Sequence, residues 1–181
     1  MNRTIVMLLA GIVASALLPL VPPAAAQTNI AILDTQYVVQ MSEVGKSLRA
    51  QAERQRGSDD RLVKSEEDNL VKLEQTLTQQ RATISAEEYQ KRVQELRKKN
   101  ADVQRDDQDR QARLEVGYRN AALKIETTIE QIATEIDKER NFVMAIRRSA
   151  IAGNTTAPDI TQEVLKRLNQ RMPNVALELP K

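Results

Sequence analysis

The chain has 181 residues, 27 of them Lys or Arg and 25 Asp or Glu, and it contains no Cys, His or Trp. Without thiols or imidazoles the commonest nucleophile, base and metal-ligand sets are unavailable and a disulfide framework is excluded, while a formal net charge of +2 implies no particular partner. Three Tyr and one Phe are few for a rounded core of this length, so the composition favours an elongated molecule.

Residues 1–26 read as a cleaved signal peptide, with Arg3 as the positive start, Ile5 to Leu18 as the apolar stretch and Ala24-Ala25-Ala26 as the small-residue cleavage site. The apolar run is shorter than the ~20 residues that cross a bilayer, and Pro19, Pro22 and Pro23 prevent its extension as a helix. The expected mature chain begins at Gln27. From Ala24 to Ala157 there is no proline at all, which leaves room for very long helices.

Ile30-Ala31-Ile32-Leu33 predicts one short buried strand, ending at Asp34, a residue able to cap a following helix. Val44, Leu48 and Ala52 fall four apart behind Ser42, another cap. Val63, Leu70, Leu77 and Ile84 then repeat every seven residues, with Leu73 on the neighbouring seam position and polar Glu66 and Gln80 as partners. Such a seam forgoes much of the ~1.5–3 kcal/mol that each buried aliphatic side chain contributes, so the arm is expected to bend.

The pattern restarts around Thr83-Ile84-Ser85, where Ser85 and Glu88 form a capping box for a returning helix. Tyr89, Val93, Leu96 and Val103 give its first face, with Asn100 as a polar seam position. Leu114, Tyr118, Ala122, Ile125, Ile129, Ile132 and Ile136 give the second. Gly57 and Gly117 fall at one level of the two arms and read either as a joint or as two tolerated glycines. Charge is segregated: the mid-arm segments Glu53 to Glu74 and Asp106 to Glu115 are net acidic, and the tip from Arg81 to Arg105 is net basic.

Phe142 to Ile146 is a strand candidate, Ser149 to Ile151 a second, and Gly153-Asn154 a turn. Asp159 or Thr161 can cap a last helix with Val164, Leu165 and Leu168 on its face, ended by Pro173. The predicted architecture is mainly α with a small β body, from which a long antiparallel α-helical hairpin projects. Residues 27–45 and 141–169 make the body, 46–140 the arm with its tip near 83–86, and 170–181 a tail. So small a body is expected to be completed by other copies of the chain.

No glycine-rich phosphate loop is present, so no nucleotide is expected, and no cofactor or metal. The acidic clusters Glu66-Glu67-Asp68 and Asp106-Asp107-Asp109 lie in continuous helical sequence, not on the tight turn a calcium loop needs. Lys91, Arg92 and Arg97-Lys98-Lys99 form a basic tip that reads either as a solvated face or as a contact for an anionic client or membrane lipid. Interleaved acids argue against nucleic acid.

Both ends of the chain resemble the Skp, or OmpH, family of periplasmic chaperones. The residues that carry the likeness are Ile30 to Asp34, Val39 and Gly45-Lys46 at one end. At the other they are Phe142 to Ile146, Ser149-Ala150, Asp159 to Thr161, Val164-Leu165 and Leu168-Asn169. The resemblance implies a periplasmic homotrimer whose terminal strands form a trimerisation body and whose three hairpins enclose a cavity. It also implies an ATP-independent holdase, not an enzyme, that shields unfolded outer-membrane proteins before membrane insertion. On that reading Ile30, Ile32, Leu33, Phe142, Val143, Ile146, Val164, Leu165 and Leu168 build the trimerisation body. Leu70, Leu77, Ile84, Tyr89, Arg81, Lys91, Arg92, Arg97 and Lys98 contact the client on the arm and tip. Arg147 stands where many members carry an acid, and the tail from Gln170 is extra. The alternative is a structural coiled-coil adaptor of the cell envelope, joined to one folded partner by fixed helix pairing.

Overall fold

The computed structural model describes residues 29–181, so the signal-peptide reading lies outside the described residues. The elements are β1 (Ile30–Leu33), α1 (Thr35–Met41), α2 (Glu43–Gln80), α3 (Ala86–Arg140), β2 (Met144–Arg147) and α4 (Thr161–Arg171).

β1 is the buried centre of a small sheet. β2 pairs with it in parallel, Ile30 opposite Met144 and Leu33 opposite Arg147, after the chain has travelled out and back along the whole hairpin. On the other edge Ile32 N donates to Pro158 O (2.8 Å) and Ile160 N donates to Ile32 O (2.9 Å), so a third extended segment closes that side. Asp34 ends the strand: its backbone N–H donates to Thr161 Oγ1 and its carboxylate accepts from Tyr37 N, which starts α1.

Between α1 and α2 the chain bends at Ser42, whose buried hydroxyl accepts from Gly45 N at 3.1 Å. A Cβ on Gly45 would lie 1.8 Å from Val39 O, so the bend requires a glycine there.

At 1.5 Å per residue, α2 (38 residues) is about 57 Å long and α3 (55 residues) about 83 Å. They pair antiparallel through a turn at residues 81–85. Ser85 Oγ accepts from Glu88 N (3.2 Å), and the Glu88 carboxylate is taken by Arg92 (2.8 Å). The seam is apolar at Leu77, half-buried at Val63, Glu66, Leu70 and Gln80, and open at two predicted positions: Leu73 is 42% exposed and Asn100 is exposed. Near the base Leu114 is buried in it and the predicted Tyr118 borders the α2–α3 cleft beside Ala52, while Ala122 is half-buried against the core and the buried Gly117 and Ala121 lie under the C-terminal segment. Small residues let other chain segments approach α3 there, and Tyr118 is left 37% exposed.

The surplus length of α3, about 25 Å, runs past the start of α2 into the body. There Ile125, Ile129, Ile132 and Ile136 are 0% exposed and meet Leu33, Val38, Val44, Val164 and Leu168 in one cluster. Asn141 closes α3 in the left-handed region (φ 57°) and turns the chain towards β2.

Two expectations for the C-terminal third are corrected. Arg148–Ala150 form one 3-10 turn instead of a strand, closed by Ile151 N on Arg148 O, because β1 ends at Leu33, opposite Arg147, and offers no further partner; the Arg147 guanidinium reaches Glu126 (2.6 Å) and Glu130 (3.2 Å) of α3. The N-cap of α4 is Ile160, while Asp159 Oδ1 accepts from Thr161 N and the Thr161 hydroxyl serves Asp34.

Ion pairs fasten α4 to α3. Arg171 grips Glu135 with two bonds (3.0 and 2.6 Å), Arg167 grips Glu139 with two (2.8 and 2.6 Å) and also Glu163, and Arg140 reaches Glu163. The segment beyond α4 returns along the arm base, with Met172, Val175 and Leu177 against the core cluster.

The two α2 glycines should respond oppositely to substitution. Gly45→Ala forces a side chain into backbone and should cost about 3 kcal/mol or more, whereas Gly57, where a Cβ meets only the end of Arg61 at 3.8 Å, should gain ~1 kcal/mol as Ala. Thermal melts of the two variants check both signs.

The α4 pairs carry a pH signature. Hydrogen bonds from Arg171 and Arg167 hold the Glu135 and Glu139 carboxyls below their ordinary value of 4.5. A carboxyl lowered by folding adds stability that is complete above its unfolded pKa and is lost as pH falls through the lower folded value. Urea midpoints should therefore hold from pH 7 to 5 and drop below 4.5, less so for Arg167→Gln/Arg171→Gln.

Candidate functional site

The residues singled out from sequence lie on three surfaces: the outer arm, its tip and the open edge of the sheet. Between Ala52 on α2 and Leu114 on α3, only Leu77 reaches full burial; Leu70 and Ile84 are half-buried, and Leu62 and Val71 are 46% and 51% exposed. Two shallow grooves flank this seam. One has Leu70, Val71, Leu77, Tyr89, Val93 and Leu96 on its floor and Glu67, Glu74 and Arg97 at its rim. The other has Leu73, Leu77 and Leu96 with Gln80, Arg92 and Lys99. An apolar floor inside a charged rim offers many weak contacts without a demand for one shape.

At mid-arm a polar bridge crosses the seam. Arg110 donates to Glu66 at 3.2 Å, with side chains 13% and 29% exposed, and its Nε is buried without a partner. Beside this bridge lies a cleft lined by Arg56, Asp59, Asp60, Asp107 and Glu115 next to Tyr118. This arrangement interrupts apolar packing at the middle of both helices.

At the tip Arg81 lies 5.6 Å from the centre of the half-buried Tyr89 ring, within cation–π range. Arg92 is committed to structure: besides Glu88 it donates to Gln80 Oε1 (2.5 Å), tying the end of α2 to the start of α3. Its hydrogen bond and charge lower the Glu88 carboxyl below its usual range. Lys91, Arg97 and Lys98 are exposed and make no ion pair among the described residues. With Lys99, which is likewise exposed and unpaired among the described residues, the basic tip divides into a structural Arg92 and four free cations.

Of the residues assigned to the body, Ile32, Leu33, Val164 and Leu168 are buried and Ile30, Phe142, Ile146 and Leu165 half-buried. Val143 is 64% exposed beside Met144 at 49%, next to the edge of β2 that faces away from β1. An unpaired edge flanked by large apolar side chains is a site for strand addition. Asp137, near the foot of α3, keeps one carboxyl oxygen buried without a partner, and burial raises its pKa although Ala145 N–H opposes the shift. Sequence reasoning missed Gln51 and Ala121 and read Gly117 only as a joint or a tolerated glycine, whereas all three lie under the C-terminal segment; the alternation of Val175, Leu177 and Leu179 was the available signal.

A long hairpin of under-packed helices on an open-edged sheet presents extended surfaces with an apolar floor and charged rims. Residues 29–168 match the family model described as outer membrane protein (OmpH-like), and the chain belongs to that family. It is similar to a Skp-like protein of Pseudomonas aeruginosa, 25% identical over 149 residues that cover 82% of this chain and 89% of that one. The crystal structure of an outer membrane chaperone (OmpH-like) from Caulobacter crescentus shares the fold with a TM-score of 0.79 at 20% identity, over 86% of this chain and 92% of the other.

Glu66→Ala should cost about 1–3 kcal/mol by leaving Arg110 unpaired. The double change Glu66→Leu/Arg110→Leu makes the seam continuous and should be neutral or stabilising by about 1–4 kcal/mol. Urea unfolding of the single and double variants tests the ordering.

Proposed function

We propose that the protein is an ATP-independent periplasmic holdase that keeps unfolded outer-membrane proteins soluble between its arms before they insert. The observation that carries this reading is the outer arm itself: about half of a long hairpin leaves aliphatic side chains half-buried or exposed in grooves with charged rims. Barrel strands in water present apolar faces and unpaired backbone, and a flexible set of weak contacts shields both. Family membership and the likeness to a structure described as an outer membrane chaperone support the same reading.

In this reading three copies join through the open edge of β2, with Val143 and Met144 buried between subunits, and the hairpins enclose the client. Leu70, Leu77, Ile84 and Tyr89 supply apolar contact, and Arg81, Lys91, Arg97 and Lys98 steer an anionic client or lipid towards the tip. No reaction is involved. Release comes from a competing sink, since a bound client leaves when folding into the membrane removes its free form.

Light scattering on the mature protein, alone and after dilution of a urea-unfolded barrel protein into the sample, tests this. The expected result is a trimer that takes up one client and keeps it soluble. A monomer or dimer that ignores unfolded chains but binds one native envelope protein would establish the coiled-coil adaptor instead. Stiffening the arm with Glu66→Leu/Arg110→Leu should leave the trimer intact and reduce client capture severalfold, read by aggregation suppression.

A further inference from the structure

The segment after α4 lies beyond the residues that match the family, and it is held along the arm base in an extended manner. Burial alternates along it: Val175 and Leu177 are half-buried, Ala176 and Glu178 exposed. One arm side chain grips its backbone. The Gln51 amide donates to Val175 O at 2.8 Å and accepts from Leu177 N at 3.1 Å. These two groups flank Ala176 and point the same way, the pair that an extended chain offers to a neighbouring strand.

Gly117 completes the seat. A Cβ there would lie 2.6 Å from Glu178 O and 3.2 Å from Leu179 Cδ2, so only glycine admits the chain this closely. Lys124 adds an exposed pair with Glu178 at 3.5 Å.

These contacts read an extended backbone and an alternation, not a particular sequence. The Gln51 clamp touches only backbone, and the inward positions two residues apart hold aliphatic side chains of different size, Val175 and Leu177. Strands of membrane barrels have that pattern, apolar on alternate residues over about 9–11 positions. We propose that the groove built from Gln51, Gly117 and Ala121 binds extended polypeptide with apolar residues at alternate positions, and that residues 173–181 fill it as an intramolecular competitor. The identity of the competing ligand rests on the holdase reading. A segment seated nine-tenths of the time lowers the apparent affinity of an incoming strand about tenfold.

The probe is a fluorescent peptide of residues 173–181, titrated by anisotropy against the parent chain, a Leu177→Asp variant and a chain shortened after Met172. Circular dichroism melts establish that each variant is folded, and Leu177→Asp keeps the full length should the shortened chain fail to fold. Affinity for a urea-unfolded barrel protein is measured on the same set. The peptide should bind the unseated variants at least about tenfold more tightly than the parent, the barrel protein should gain in the same direction, and Gly117→Ala in the unseated background should abolish peptide binding. Absence of peptide binding to every folded unseated variant overturns the groove. Peptide binding with unchanged barrel affinity overturns the competition and leaves the segment a strap. Peptide binding with no barrel affinity in parent or variants overturns the holdase reading, and with it the competitor role, while the groove stands.

Discussion

The row of isoleucines at the end of α3 is the constraint on which the rest of the molecule depends. Ile125, Ile129, Ile132 and Ile136 are completely buried where α3 runs past the start of α2 into the body. Each such burial contributes about 1.5–3 kcal/mol, and the same side chains gather β1, α1 and α4, segments from both ends of the sequence. A sheet of two short strands could not do this by itself. The helix that forms half of the arm is thus also the central post of the body, so the arm is anchored by packing continuous with the core.

Away from that post the chain gives up packing in a graded way. The seam passes from isoleucine at the base to Leu114 and Ala52, then to the Glu66–Arg110 bridge, then to the half-buried aliphatics near the tip. Interior packing resists deformation, whereas a polar bridge and partly wet contacts can rearrange at small cost. The gradient leaves an arm firm where it is rooted and adaptable further out. In the proposed function the same under-packed stretch would supply the client-binding surface.

Charge works differently at the two ends. Near the body, Arg140, Arg167 and Arg171 are spent on carboxylates that join α3 and α4, which adds to the apolar contacts of the last helix, and Arg147 ties β2 to α3. At the tip, Lys91, Arg97 and Lys98 have no such partners and project their charge outward. Two regions of similar composition thus differ in role because one faces a second helix and the other faces water.

Local physics made much of this legible from sequence. The proline-free span, the seven-residue spacing of Val63, Leu70, Leu77 and Ile84, and the caps at Asp34, Ser42 and Ser85 depend only on neighbours along the chain, so they determine the helices, their ends and the hairpin turn. The matching segments at either end gave the family for the same reason. Tertiary structure decided what depends on distant neighbours. Gly117 and Ala121 are buried because the C-terminal segment lies against α3 there, and small residues carry no hydrophobic signal that a periodicity can detect. Gln51 looked like a solvated helix position until the backbone of Val175 and Leu177 reached it across the fold. Sequence spacing specified which elements form, because helices are closed by short-range bonds; which faces are free, and what covers the rest, depended on where the two ends of the chain meet.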